Sequence, residues 1–143
     1  MSKLQKRLQE FMADEEFTQT SLAKITGIFQ SNISDYVKLG VEPNYDKFIK
    51  LLNVMNCSAD YALGLIDVDS DEIFHEPLPF GERLREILKQ KGISQEKLKK
   101  ELPVSSSLIY KWLTGKSKPY PTTLVRLANY LDVSVDYLLG RIR

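Results

Sequence analysis

Apolar residues recur at helical spacing throughout the C-terminal half of the chain. Phe80, Leu84, Ile87 and Leu88 fall on one face of a helix over about 80–91, and Gly92 is suited to end it. Four more helices are predicted by the same criteria: one capped by Ser94 and broken by Pro103, one over Ser106–Thr114, one opening at Thr122 or Thr123, and one from Ser134 to Leu139. No segment alternates with period two over the length of a strand, so the pattern predicts an all-α fold.

The N-terminal half carries the same pattern, because the chain contains an internal repeat. Leu4–Gly64 (the first copy) aligns without a gap on Phe80–Gly140 (the second copy), with 16 identities in 61 positions. Helices are therefore expected at about 3–14, 18–25, 30–38, 45–55 and 58–63. The prediction is two tandem five-helix domains, over 1–66 and 80–143. Acidic residues and two prolines mark a linker over 67–79, in which Asp69–Phe74 is expected to form a short helical turn.

The charge is distributed unevenly along the chain. The 143 residues have a net charge of +1, but residues 1–68 hold 7 Lys and Arg against 9 Asp and Glu. Residues 69–76 hold 4 acids and no base, and residues 77–143 hold 13 bases against 6 acids. The near-zero total is thus a cancellation, and the basic second half indicates an anionic partner.

Several classes of protein are excluded by composition. A single cysteine, Cys57, and a single histidine, His75, leave no internal disulfide and no multi-Cys or His-rich metal site, so no cofactor is expected. There is no Gly-rich phosphate loop after a strand and no nucleophile paired with a base, so we do not expect an enzyme. No apolar run reaches the length of a membrane span, and the N-terminus is too charged for a signal peptide. We therefore expect a soluble, cytoplasmic protein. Cys57 and Trp112 are expected in the cores, and His75 in solvent.

The second copy resembles the phage repressor/Cro type of helix-turn-helix regulator, also called the xenobiotic-response-element family. The resemblance spans Ile93–Gly140 and rests on residues that match in order and spacing: Ser94-Gln95-Glu96, Leu98, Val104-Ser105, Ile109, Trp112, Gly115-Lys116, Pro119 and Asp136–Gly140. The first copy is similar to the same family through Thr18-Gln19, Leu22-Ala23, Gly27-Ile28, Ile33-Ser34, Tyr36, Pro43 and Tyr61. The resemblance implies that the second and third helices of each copy form the helix-turn-helix, with the third helix in the major groove of double-stranded DNA.

The resemblance also implies which residues of the second copy contact DNA. Ser106, Ser107, Tyr110 and Lys111 match the positions that contact base edges. Their chemistry agrees, since lysine donates to guanine O6 and N7, and serine or tyrosine bonds several bases. Gln95, Lys116 and Lys118 match positions that contact the phosphate backbone.

The first copy departs from this pattern. Its corresponding positions carry Gln30, Ser31, Ser34 and Asp35 for base contact, with Asn32 beside them, and Gln19 for phosphate contact. Phe29 stands where a serine or threonine cap is usual, Glu42 replaces Lys118, and Leu39-Gly40 replaces Gly115-Lys116. We therefore expect the first copy to bind phosphates weakly. Two roles remain open for it, weak base contact or contact with a protein.

Two hypotheses of function follow. The first is a sequence-specific, double-stranded DNA-binding transcriptional regulator, a repressor, in which two domains in one chain mimic a dimer. The segment 65–79 spans at most ~50 Å when fully extended, against ~34 Å between adjacent half-sites, so one chain can cover both. The second is an interaction module, an anti-repressor or dimer partner. It would bind a second copy of itself or another protein through the first domain, with Phe29 and Ile28 exposed.

Overall fold

The structure, a computed structural model, describes every residue from Met1 to Arg143. It contains ten α-helices, one π-helical segment and no strand, which confirms the all-α prediction. The chain folds as two compact units, Met1–Asp71 (the first unit) and Glu72–Arg143 (the second unit). None of the helices combines the length and the apolar character needed to cross a membrane.

The first unit surrounds one apolar core. Its elements are α1 (Lys3–Asp14), α2 (Gln19–Thr26), α3 (Gln30–Ser34), a π-helical segment (Asp35–Leu39), α4 (Tyr45–Met55) and α5 (Ala59–Ala62). The core brings together apolar side chains from all three N-terminal helices and from α4, among them Leu8, Leu22, Ile33, Tyr36 and Leu51. Cys57 is buried, as predicted.

The second unit repeats this arrangement with five regular α-helices. They are α6 (Phe80–Lys91), α7 (Gln95–Glu101), α8 (Ser106–Thr114), α9 (Pro121–Leu131) and α10 (Val135–Leu139). The apolar positions predicted from helical spacing are buried, including Leu84, Ile87, Leu98, Ile109 and Leu124. Trp112 is also buried, which confirms its assignment to the core.

An arginine at the same position of each copy ties the first helix of its unit to the last. Arg83 Nε donates to the Tyr137 carbonyl at 3.0 Å, and its guanidinium lies 4.3 Å from the centroid of the Tyr137 ring. Arg7 repeats both contacts on Tyr61, at 3.3 Å and 3.9 Å. The paired identities Arg7/Arg83 and Tyr61/Tyr137 thus have a structural origin, because an arginine lying over an aromatic ring also supplies a donor for the backbone.

Two predicted details are wrong. The helix α9 begins at Pro121 and not at Thr122 or Thr123, because proline at the first helical position loses no hydrogen bond and already has a helical φ. No helical turn forms over Asp69–Phe74. The Asp69 carboxylate instead accepts hydrogen bonds from the backbone N–H groups of Ser58 and Ser70, at 3.0 and 2.8 Å. Asp69 is thereby held against the first unit.

The C-terminal part of the interdomain segment is held by the second unit. The His75 backbone N–H donates to the Arg141 carbonyl at 2.8 Å, and the Arg141 guanidinium lies 4.4 Å from the centroid of the Phe74 ring. Arg141 also forms a buried ion pair with Asp136, at 2.5 Å. The His75 side chain is exposed, as predicted.

Candidate nucleic-acid interface

The helices α7 and α8 are started by serine caps and joined by a short turn. Ser94 Oγ accepts a hydrogen bond from the Lys97 N–H, and Ser105 Oγ accepts one from the Leu108 N–H, each at 3.1 Å. Pro103 lies in the turn, where the Val104 N–H donates to the Leu102 carbonyl at 2.6 Å. Since Leu98 and Ile109 are buried, the two helices are fixed to the core and their opposite faces remain in solvent.

The solvent face of α8 carries all four side chains predicted for base contact. Ser106, Ser107, Tyr110 and Lys111 are exposed, and Tyr110 is 57% exposed. On the other side of the helix, Ile109, Trp112 and Leu113 are buried. The helix therefore presents hydroxyl, phenol and ammonium groups along one face, a set that can donate to and accept from base edges.

A groove between α7 and α8 brings predicted phosphate and base contacts together. Gln95, Lys99 and Lys100 on one helix and Ser106 on the other line this groove. Glu96 also lines it and is the acidic side chain at that place. Two lysines and a glutamine of α7 thus lie directly beside Ser106, the first residue of α8.

The loop after α8 is shaped by Gly115. Its φ of +79° is left-handed, and the turn lets the N–H groups of Lys116 and Ser117 both donate to the Lys111 carbonyl, at 2.9 and 3.2 Å. Lys116 Nζ lies 5.6 Å from the centroid of the Tyr110 ring. Lys116 and Lys118 are exposed, so positive charge follows the C-terminal end of α8.

Sequence inspection missed two cations near Gln95. Arg85 and Lys89, one turn apart on α6, are exposed and line a shallow depression together with Ser94 and Gln95. Their counterparts in the first copy are Gln9 and Ala13, so both charges belong to the second copy alone. The sequence does carry a signal for this pair, because Arg85 and Lys89 are four residues apart and therefore lie on the same face of α6.

The corresponding surface of the first unit differs. Gln30 and Ser31 are exposed, whereas Asn32, Ser34 and Asp35 are half-buried. Phe29 precedes α3 without any side-chain cap and is 79% exposed, as expected. The expected exposure of Ile28 is wrong, because this side chain is 3% exposed and belongs to the core. Gln19, the counterpart of Gln95, is half-buried at the start of α2, beside a capping box formed by Thr18 and Ser21.

The two units also carry net charges of opposite sign. The first unit contains 7 Lys and Arg against 11 Asp and Glu, a net charge of −4, and the second contains 13 against 8, a net charge of +5. The second unit therefore supplies the basic surface of the chain.

No group of three or more His, Cys, Asp or Glu side chains is placed to hold a metal ion.

Both copies match one known family, described as Helix-turn-helix (HTH_3), over residues 8–61 and 84–138. The chain is also similar to several curated proteins. It is 40% identical over 60 residues to the SPbeta prophage-derived uncharacterized HTH-type transcriptional regulator YonR of Bacillus subtilis (strain 168), covering 42% of this chain and 56% of YonR. It is 37% identical over 65 residues to the HTH-type transcriptional regulator ImmR of the same organism, covering 46% and 51%.

A third relative has a different regulatory name. The chain is 34% identical over 63 residues to the HTH-type transcriptional activator BcrR of Enterococcus faecalis, covering 44% of this chain and 31% of BcrR. The matched parts thus span about half or less of the length of these relatives. No solved structure matches the chain significantly.

Proposed function

The chain belongs to the helix-turn-helix family, and we propose that it is a sequence-specific, double-stranded DNA-binding transcriptional regulator whose second unit contacts the major groove through α8. The observation that carries this proposal is the exposed face of α8, where Ser106, Ser107, Tyr110 and Lys111 lie beside the basic groove of α7. The names of the relatives, each an HTH-type transcriptional regulator or activator, support the same function.

The chemistry of the side chains on this surface separates those that contact base edges from those that contact phosphates. Lys111 donates to guanine O6 and N7, and the two serines and Tyr110 accept from or donate to other base edges. Gln95, Lys116 and Lys118 contact phosphates, with Lys99 and Lys100 of the groove adding to the same sequence-independent attraction. Affinity thus comes mainly from the flanking cations, and sequence preference from α8.

Selection from a random duplex pool tests this proposal directly. The full chain is incubated with the pool at low salt, bound duplexes are amplified, and the enriched sequences are read. We expect one short motif, and a higher affinity for that duplex than for a shuffled duplex of the same composition. Retention of duplexes without any enriched motif would contradict sequence-specific binding.

We propose further that the protein is a repressor. A bound domain of this size occupies the groove and excludes other proteins from the same DNA. A transcription assay with the selected duplex placed across a promoter should show reduced transcript when the chain is added. Activation from a site upstream of the promoter, with no effect at the overlapping site, would contradict the repressor role.

A second candidate function is favoured by Phe29. An aromatic ring that is 79% exposed at the start of α3, on a unit of negative charge, suits a protein partner better than DNA. In this interpretation the chain is an anti-repressor or dimer partner that docks through the first unit. Failure of the full chain to bind any duplex at low salt, together with loss of self-association or partner binding on Phe29→Ala, would favour it.

A further inference from the structure

The helix that we propose to contact base edges in the second unit, α8, lies close to α6 at Gly81, and we call it and its counterpart in the first unit the recognition helices. A Cβ atom at Gly81 would lie 2.5 Å from the Leu113 carbonyl oxygen and 2.7 Å from that of Trp112. Real side chains do not approach carbonyls so closely, so only glycine permits this contact. The backbone of α6 thus lies directly against the C-terminal turn of α8.

The same place in the first unit is built in another way. Gln5 is the counterpart of Gly81, and Val37 is the counterpart of Leu113. The Gln5 side-chain amide donates to the Val37 carbonyl at 3.0 Å, and the Gln9 side-chain amide donates to the same oxygen at 2.7 Å. Two side chains of α1 therefore stand where the second unit has direct backbone contact.

The helix that receives these bonds is not a regular α-helix. Its C-terminal part, Asp35–Leu39, is π-helical, although the N–H groups of Gly40 and Val41 donate to the Asp35 carbonyl just as those of Lys116 and Ser117 donate to the Lys111 carbonyl in the second unit. Its left-handed terminal glycine is Gly40, at a φ of +69°, whereas the glycine that ends α8 is Gly115, the counterpart of Leu39. The helix of the first unit therefore ends one residue later, and a wider π-helical turn accommodates the additional residue.

Gln5 stabilises this altered ending. A Cβ atom at Gly40 would lie 2.7 Å from Gln5 Oε1, so the terminal glycine closes over the same amide that binds Val37. The left-handed residue that opens the following loop is therefore one position later in the first unit than in the second.

We propose that the residue at this position, Gly81 in one copy and Gln5 in the other, positions the recognition helix and decides which copy contacts base edges. Gly81 lets α8 lie flush on α6, in the register that presents Tyr110 and Lys111. Gln5 holds the C-terminal part of the first copy's helix, Asp35–Leu39, in a π-helical register, and so withdraws Asp35, the counterpart of Lys111, from base contact. Gly81 and Gln5 are positioning residues, since neither contacts DNA. The proposal rests on the DNA-binding function proposed above.

The first test places a side chain at Gly81 in the full chain. Gly81→Ala and Gly81→Gln are compared with the unaltered chain for binding to the selected duplex and to a shuffled duplex, after circular dichroism has confirmed that each is folded. We expect affinity for the selected duplex to fall about tenfold or more in Gly81→Ala, and affinity for the shuffled duplex to change less than about threefold. Gly81→Gln is expected to lower the ratio further.

A matched control separates positioning from stability. Leu131→Ala removes a buried side chain from α9, outside the α6–α8 contact, and lowers the stability of the same unit. It should leave the ratio of selected to shuffled affinity unchanged. The proposal is overturned if folded Gly81→Ala keeps the ratio of the unaltered chain, or if Leu131→Ala lowers the ratio equally.

The second test needs no DNA. In the full chain, Leu39→Gly moves the terminal glycine to its position in the second copy, and Gln5→Gly/Leu39→Gly also removes the amide. Backbone NMR is expected to show i+4 hydrogen bonding over residues 35–39 only in the double variant. Persistence of the π-helical pattern in the double variant, or its loss in Leu39→Gly alone, would overturn the role of Gln5. If the unaltered chain shows no sequence preference, the proposed function fails, and this second test still decides how the helix is positioned.

Discussion

Ser105 and Phe29 occupy the same position in the two copies, immediately before α8 and α3, and only Ser105 caps the helix that follows. The Ser105 hydroxyl accepts a hydrogen bond from the Leu108 N–H at 3.1 Å, whereas Phe29 forms no side-chain cap and projects into solvent. The backbone of Phe29 is nevertheless extended, with φ −58° and ψ 139°, close to the values of the capping residues elsewhere in the chain. The geometry of a cap is thus present in the first copy without the side chain that would use it.

Removal of the cap at Ser105 and introduction of a cap at Phe29 should change the stability of the two units in opposite directions. Ser105→Ala is expected to destabilise the second unit by about 1 kcal/mol, and Phe29→Ser to stabilise the first by about 0.5 to 1 kcal/mol, because serine satisfies an N–H that alanine or phenylalanine leaves to water. Amide hydrogen exchange of the full chain, followed separately in α8 and α3, measures both. A loss of stability on Phe29→Ser would mean that the exposed ring contributes packing.

Lys111 and Lys118 should differ in their effect on DNA binding. Lys111→Ala is expected to relax the preference at one base pair of the selected motif, at a cost of about 1–3 kcal/mol for that duplex, since it removes a base-edge donor. Lys118→Ala should weaken selected and shuffled duplexes alike and lower the slope of log affinity against log salt by about one. Fluorescence anisotropy titrations at several salt concentrations check both. Equal loss on both duplexes for Lys111→Ala would contradict its assignment to base contact.

The repeated arginines should differ in importance for folding. Arg83→Ala is expected to destabilise the second unit by about 2–3 kcal/mol, because the 4% exposed guanidinium bonds the Tyr137 carbonyl and contacts Glu86 at 2.6 Å. Arg7→Ala should cost the first unit about 1 kcal/mol, since its hydrogen bond to the Tyr61 carbonyl is longer, at 3.3 Å, and its Glu10 contact, at 3.7 Å, is partly exposed. Unit-resolved hydrogen exchange provides the comparison, and Arg83→Lys should not restore stability, since it lacks the planar fork. A larger loss for Arg7→Ala would contradict this ranking.

The buried pair Asp136–Arg141 should show strong coupling. Asp136→Ala leaves the Arg141 charge buried without this carboxylate, so we expect a loss of about 3–5 kcal/mol in the second unit. The double variant Asp136→Ala/Arg141→Met should be less destabilised than Asp136→Ala alone, because it buries no charge. A double-mutant cycle on denaturant unfolding measures the coupling energy. Additive losses would show that the two side chains contribute independently.

Much of the fold is predictable from the chain because each helix signal occurs twice. Ser94, Ser105 and Ser134 cap helices where the pattern expected them, and Gly92, Gly115 and Gly140 end helices in the left-handed region. These are local effects, in which one side chain or one φ decides a helix end. The exposure of Ser107, Tyr110 and Lys111 also follows from helical periodicity, once Ile109 and Trp112 are placed in the core, whereas Ser106 lies three residues before Ile109 and is exposed as the first residue of α8.

What periodicity does not reveal depends on contacts between distant residues. The Val37 carbonyl of the π-helical segment accepts hydrogen bonds from Gln5 and Gln9, which lie 32 and 28 positions earlier in the chain, and helical spacing carries no information on such a bond. Asp69 does not form the predicted turn; its carboxylate instead accepts a hydrogen bond from the Ser58 N–H, eleven positions away. Arg85 and Lys89 were overlooked for the opposite reason, because exposed cations on an amphipathic helix usually serve only as its solvated face.

The most direct test of the account is NMR chemical-shift mapping of the full chain on addition of the selected duplex. We expect amide and side-chain signals of Ser106, Ser107, Tyr110 and Lys111 to shift, with those of Gln95 and Lys116–Lys118, and signals of Gln30–Asp35 to stay in place. Shifts confined to Gln30–Asp35, or no shift in α8 at saturating duplex, would contradict the claim that the second copy contacts the bases.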